Sequence, residues 1–120
     1  MKAPSENAEQ IAVVSYLRDC RPAVLFAHVA NERRCSPAEG ARLKAMGVRA
    51  GLPDLILFTP PPAIPGARGA FLELKSRHGG QRGPLQIAWA NALRNLGYVG
   101  DFAEGAAAAV TMLKAWGYRQ

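Results

Sequence analysis

Apolar spacing and capping residues predict four helices. Ser5 can cap the first, which carries apolar positions at Ile11, Val14 and Leu17 and should end before Pro22. Residues 36–39 (Ser-Pro-Ala-Glu) form a capping box with proline at the first helical position, which predicts the second helix. The last two helices are predicted from residue 84 and over residues 106–116, and glycines at 47, 97 and 117 can end the second, third and fourth.

Four short apolar runs predict strands at residues 23–29, 55–58, 70–75 and 98–102. Residues 60–66 contain four prolines and cannot join a sheet ladder, so we expect a surface connection between the second and third strands. The resulting order α-β-α-β-β-α-β-α predicts the α/β class, with a mixed central sheet flanked by helices.

Three charged residues lie at the ends of two of these strands. Asp54 opens the second strand, whereas Glu73 and Lys75 lie two apart in the third and therefore point to the same face. Two adjacent strands could bring all three together at one end of the sheet. Paired carboxylates can hold Mg²⁺ or Mn²⁺, and a lysine beside them can stabilise an attacking water or the charge on a phosphate. The pattern indicates a metal-dependent phosphodiesterase.

Each of these residues also has an ordinary structural explanation. Asp54 could be a turn residue before a strand. Glu73 and Lys75 could form a surface ion pair on an amphipathic edge strand, an interaction that contributes little to stability. The three residues alone leave both interpretations open.

Further motif elements surround this triplet. Glu6 and Gln10 lie on the first helix, Asn31 and Glu32 follow the first strand, and Gly80 precedes Gln86. Together with residues 51–55 and the Glu-Leu-Lys strand, in this order from about residue 5 to 97, they resemble the VRR-NUC (virus-type replication-repair nuclease) family of the PD-(D/E)XK superfamily. The resemblance implies a restriction-endonuclease-like core in a single domain over residues 1–120. Gly83 departs from the family, which often has Ser or Thr at that helix cap.

The resemblance also implies roles for individual residues. Asp54, Glu73 and the carbonyl of Leu74 would bind Mg²⁺ or Mn²⁺, and Lys75 would orient the water or stabilise the phosphate. Glu6 would complete the site as a helical acid that contacts the metal directly or through water, and Glu9 is the nearby alternative. Glu6 could also be an ordinary acid that the positive end of the helix dipole favours at a helix N-terminus. Gln86 would reach back to the strand of Glu73, although a glutamine near a helix start is ordinarily exposed. The expected products carry a 5′-phosphate and a 3′-hydroxyl.

The charge of the chain favours a polyanionic partner. The formal net charge is +6 and the isoelectric point is near 9.9, although a small basic protein can also simply have a solvated basic face. With the acidic motif, this charge favours DNA. The candidate DNA-binding residues are Asn31, Arg33, Arg34, Arg49, Arg77 and Arg82.

Other classes of protein are disfavoured. Cys20 and Cys35 lack zinc-ligand spacing and are expected to be reduced thiols. No secretory or membrane-spanning segment is apparent, which predicts a location in the cytoplasm of a bacterial or phage-infected cell. His28, inside an apolar strand, is expected to be a satisfied or half-buried histidine and not a catalytic one.

The sequence therefore predicts a metal-dependent DNA endonuclease. By resemblance it would act on branched DNA, Holliday junctions in particular, and paired cuts would favour a homodimer. Two alternatives remain: a basic DNA-binding module without catalysis, and a PD-(D/E)XK nuclease with another DNA target.

Overall fold

The computed structural model describes residues 6–29, 36–75 and 82–120, and of Glu6 only the backbone. Its helices and strands follow the predicted order. In chain order they are α1 (Glu6–Asp19), β1 (Phe26–His28), α2 (Pro37–Ala45), β2 (Leu55–Leu57), β3 (Gly69–Lys75), α3 (Pro84–Asn95), β4 (Tyr98–Glu104) and α4 (Ala106–Ala115).

The four strands form one mixed sheet in the order β1-β2-β3-β4, which confirms the predicted α/β class. β2 pairs antiparallel with both β1 and β3, and Leu55 lies opposite Leu72. β3 pairs parallel with β4 over its whole length, from Gly69 to Lys75. The Glu-Leu-Lys motif therefore lies at the C-terminal end of an interior strand.

Both faces of β3 are covered by helices. Leu72 and Leu74 pack in the larger core with Val13 of α1 and Leu113 of α4. On the opposite face, Phe71 packs in a smaller core with residues of α3. An exposed amphipathic edge strand, one interpretation of the sequence, is therefore wrong.

Two strand boundaries lie more than one residue from their predicted positions. β1 begins only at Phe26, because the backbone N–H of Leu25 donates to Thr59 Oγ1 instead of entering the ladder. β4 extends to Glu104 because it pairs with β3 as far as Lys75. The predicted helix cap at Ser36 is confirmed at α2, where Ser36 Oγ accepts from the backbone N–H of Glu39 at 3.1 Å. In the part of the chain that the structure describes, no helix is long and apolar enough to span a membrane.

The C-terminal segment is fastened to the core by two tyrosines. Tyr118 is 2% exposed, and its hydroxyl donates to the carbonyl of Thr59 at 2.5 Å. The hydroxyl of Tyr16 donates to the carbonyl of Tyr118, also at 2.5 Å. Burial raises the pKa of Tyr118 above its ordinary value, because the folded chain disfavours the phenolate.

This pKa shift predicts an alkaline loss of stability that a Tyr118→Phe variant lacks. Below about pH 10 the phenol is neutral in both states, so its full contribution is present. Above that pH the unfolded chain ionises first, and the free energy of unfolding falls. Urea unfolding from pH 7 to pH 11 should therefore show a shallower fall for Tyr118→Phe than for the unsubstituted chain. Tyr98→Phe, at a partly exposed position, is the control; equal slopes for all three proteins would contradict the prediction.

Candidate active site

Asp54 and Glu73 lie side by side on neighbouring strands. Continuing the β2–β3 register by one residue beyond Leu55 and Leu72 places Asp54 opposite Glu73. The Oδ2 atom of Asp54 accepts a hydrogen bond from the backbone N–H of Leu74 at 2.7 Å. Residues directly opposite in an antiparallel pair have Cβ atoms about 5 Å apart on the same face of the sheet. The register therefore brings the two carboxylates together at the end of β3.

Gln86 joins Glu73 to Lys75. Its Oε1 atom accepts from Lys75 Nζ at 2.8 Å and from the backbone N–H of Gly83 at 3.0 Å, while its Nε2 atom donates to Glu73 Oε1 at 3.1 Å. Because Lys75 Nζ and the Gly83 N–H can only donate, the amide oxygen must face them and the amide nitrogen must face the carboxylate. Gln86 thus orients both charged side chains. It lies in the first turn of α3, where Pro84 starts the helix.

The cluster is only partly open to solvent. Glu73 is 4% exposed, and Asp54, Lys75 and Gln86 are partly exposed. A buried carboxylate is stable in a fold when hydrogen bonds or a cation compensate its lost hydration, and Gln86 supplies one such bond. The arrangement gives a fixed, partly desolvated pair of acids with a lysine two residues from one of them.

The donor set fits a hard divalent cation. The backbone N–H and C=O of one strand residue point towards the same neighbouring strand. Because the Leu74 N–H donates to Asp54, the Leu74 carbonyl also points to the side of the sheet on which Asp54 lies. β2 pairs only with Ala70 to Leu72, so this carbonyl lies beyond the β2 ladder. Two carboxylates and one carbonyl are the oxygen ligands that Mg²⁺ and Mn²⁺ accept. Over the described side chains, no group of three or more His, Cys, Asp and Glu residues that could hold a metal is found.

The two acids of α1 differ in what the structure establishes about them. Glu6, the predicted helical acid, begins α1, but its side chain lies outside the described part of the chain. Glu9 is 4% exposed, and its Oε2 accepts from the backbone N–H of Ala106, where α4 begins. Gly105, one residue earlier, donates to the carbonyl of Lys75. The start of α1 therefore lies beside the end of β3, and Glu9 caps a helix there.

Two of the predicted DNA-binding residues are described, and both stack on aromatic rings. The guanidinium of Arg82 lies 4.4 Å from the ring centroid of Phe102, the β4 residue that pairs with Glu73. Arg49 lies 4.7 Å from the ring of Trp89, which belongs to α3. The stack on Phe102 holds a cation close to the cluster of acids and Lys75, and the stack on Trp89 holds a second cation against α3. The remaining candidates, Asn31, Arg33, Arg34 and Arg77, lie outside the described residues.

His28 is a neighbour of the site that the sequence did not reveal. The residue is exposed and not half buried, but its ring is satisfied by a hydrogen bond, which is the other form that the expectation allowed. Its Nδ1 lies 2.6 Å from the backbone carbonyl of Asp54, so this ring nitrogen carries the proton and donates. β1 places His28 opposite Leu55, the residue that follows Asp54. Only the strand register, which the sequence does not display, could have indicated this contact.

The chain was compared with known proteins by sequence and by fold. No protein-family model matches it, and no curated protein matches it. A solved structure named VRR_NUC domain protein superposes with a TM-score of 0.77 at 25% sequence identity, over 97% of this chain and 90% of that one.

The mixed sheet with helices on both faces defines a restriction-endonuclease-like α/β core. The likeness to the solved structure supports the resemblance to the VRR-NUC family that the motifs indicate. The chain has the fold of that VRR_NUC domain protein, whose name indicates a nuclease domain.

Proposed function

We propose that this chain is a Mg²⁺- or Mn²⁺-dependent DNA endonuclease. One observation supports this most strongly: Asp54, Glu73, Lys75 and Gln86 meet at the end of β3, where hydrogen bonds fix their positions. A metal-dependent phosphodiesterase needs acids that bind the metal ion and a positively charged group beside the reacting phosphate. These residues supply both.

The proposed reaction is hydrolysis of a phosphodiester bond. Asp54, Glu73 and the Leu74 carbonyl would hold the metal, with Glu6 as a further ligand from α1. The bound ion would supply activation of a water and neutralisation of phosphate charge. Lys75, held by Gln86, would orient the water or stabilise the negative charge that develops on the phosphate.

DNA is the proposed substrate because cations surround the acids. Arg82 stacks on Phe102 of β4 and Arg49 stacks on Trp89 of α3, and both present planar guanidinium groups, which pair with phosphate oxygens. The net charge of +6 adds a long-range attraction to a polyanion. This activity would take place in the cytoplasm, where a bacterial or phage-infected cell holds its DNA.

Replacing Arg82 with Ala should weaken DNA binding uniformly across sequences. The loss of one phosphate contact should lower the slope of log K against log salt by about 1. Fluorescence anisotropy at several salt concentrations, in Ca²⁺ to prevent cutting, measures both quantities. Arg18→Ala, on the far end of α1, removes the same charge and should leave the slope unchanged. An unchanged slope for Arg82→Ala would contradict its proposed contact.

Branched DNA, Holliday junctions in particular, is the proposed target, and a homodimer is the proposed assembly. Paired cuts on opposite strands of a junction need two active sites, which a two-fold dimer supplies. A clean monomer by light scattering at working concentration that still resolves junctions would exclude the dimer.

A panel of labelled substrates tests the function and its specificity together. A four-way junction, a flap, a linear duplex and a single strand would each be incubated with the protein and Mg²⁺ or Mn²⁺. Cutting of the junction in preference to the other three, with 5′-phosphate products, is the expected result. Equal cutting of all four would leave a nuclease without structural specificity, and binding without cutting would overturn the proposed enzyme.

A further inference from the structure

The turn before Asp54 is fastened to α3 at three consecutive residues. Arg49 stacks on Trp89, and Trp89 Nε1 donates to the backbone carbonyl of Ala50 at 3.0 Å. Gly51 then lies directly against Leu85, the residue that precedes Gln86. These contacts join the segment that carries Asp54 to the helix that carries Gln86.

Gly51 permits this close approach because it lacks a side chain. A Cβ atom at this position would lie 2.7 Å from Leu85 Cβ, 2.9 Å from its carbonyl carbon and 3.0 Å from its carbonyl oxygen. Two of these atoms are backbone and cannot rotate away, so any side chain would push the turn and α3 apart by several tenths of an ångström. The φ angle of +89° at Gly51 adds backbone strain for any other residue.

The two halves of the candidate site meet at this contact. Asp54 lies three residues after Gly51, whereas Gln86, which holds Glu73 and Lys75, lies one residue after Leu85. A separation of the turn from α3 would therefore shift Gln86 relative to the acids without removing any of them.

We propose that Gly51 is a positioning residue that sets the placement of Gln86, and through it Lys75 and Glu73, relative to Asp54. This inference rests on the proposed nuclease function. It assigns to the glycine of the Gly-Leu-Pro-Asp segment a role in the geometry of the cut and not in DNA binding. Misplacement of a catalytic group by about 1 Å can lower a rate by about 100-fold.

The test compares Gly51→Ala with Gly66→Ala. Gly66 has nearly the same φ angle, +87°, but no atom lies within 4 Å of a Cβ built there, so its variant carries the backbone strain alone. Single-turnover cleavage, DNA affinity in Ca²⁺ and melting temperature would be measured for both. We expect Gly51→Ala to cut about 10- to 100-fold more slowly than Gly66→Ala, with DNA affinities that agree within about twofold.

A second substitution separates positioning from general damage. If Gly51→Ala does not fold, Trp89→Phe decides the matter. That change removes the hydrogen bond to Ala50 and keeps an aromatic ring beneath Arg49, so cleavage should slow while DNA affinity persists.

The outcomes distinguish the inference from the proposed function. If the unsubstituted chain cuts DNA and Gly51→Ala cuts as fast as Gly66→Ala, the positioning role is overturned and the nuclease stands. If Gly51→Ala does not fold, an unchanged rate for Trp89→Phe overturns it in the same way. If the unsubstituted chain binds DNA but does not cut it in either metal, the nuclease function fails and the inference fails with it.

Discussion

Glu73→Gln should abolish metal-dependent cleavage, slowing it by at least about 1,000-fold, and leave DNA binding in Ca²⁺ nearly unchanged. The substitution keeps the shape of the side chain and an oxygen that can still accept from Gln86 Nε2. It removes the negative charge that would attract the metal. Because Glu73 is 4% exposed and lies among hydrogen-bonded neighbours, the fold should tolerate this change far better than Glu73→Ala. Asp54→Asn should have the same effect from the adjoining strand.

Asp19→Asn provides the matched control for this prediction. Asp19 is the last residue of α1 and is exposed, so the variant loses one negative charge far from the start of that helix. Single-turnover cleavage of a labelled junction measures the rates, and anisotropy measures binding. Retention of more than about a tenth of the cleavage rate in Glu73→Gln would exclude this carboxylate as a metal ligand.

Lys75→Ala should lower the cleavage rate by about 100- to 1,000-fold, the typical effect of removing one group that stabilises developing charge. Gln86 would keep its bonds to Glu73 and Gly83, so the two acids should still bind metal. The defect should therefore persist at saturating Mg²⁺ or Mn²⁺, unlike a defect in metal affinity. Rates across a metal titration separate these two cases.

Lys114→Ala is the control for the loss of one cation. Lys114 lies in the last turn of α4 and is exposed, so its variant should cut at the normal rate. Full recovery of Lys75→Ala cleavage at high metal concentration would show that Lys75 acts on metal affinity and not on the reaction.

Most of the fold could be predicted from local signals in the sequence. Local signals act through neighbouring residues, and the helices that they predict form where expected. These signals are the capping box at Ser36, the proline that begins α3 and the glycines after α2, α3 and α4. β1 could not be bounded in this way. Its start depends on Thr59, which lies 34 positions from Leu25 in the sequence and accepts a hydrogen bond from the Leu25 N–H.

The candidate site was predictable in its residue types but not in its connections. The spacing of Glu73 and Lys75 indicates a shared face, and the motif indicates Asp54. The resemblance indicated that Gln86 reaches back to the strand of Glu73, but its separate bonds to Glu73 and Lys75 depend on how α3 packs on β3. The contact of His28 with Asp54 depends on the register of β1. Such long-range placements follow from tertiary packing, which one sequence does not display. Gly51 belongs to the motif, yet its contact with Leu85 emerges only in the folded chain.

Cleavage by metal-stripped protein tests the central claim most directly. The protein would be treated with EDTA, dialysed and mixed with a labelled four-way junction, before and after addition of Mn²⁺ or Mg²⁺, beside Asp54→Asn. We expect no cleavage without metal, cleavage once the metal is added, and none by the variant under either condition. Cleavage that persists in EDTA, or that Asp54→Asn performs at the normal rate, would contradict a metal-dependent site at Asp54 and Glu73.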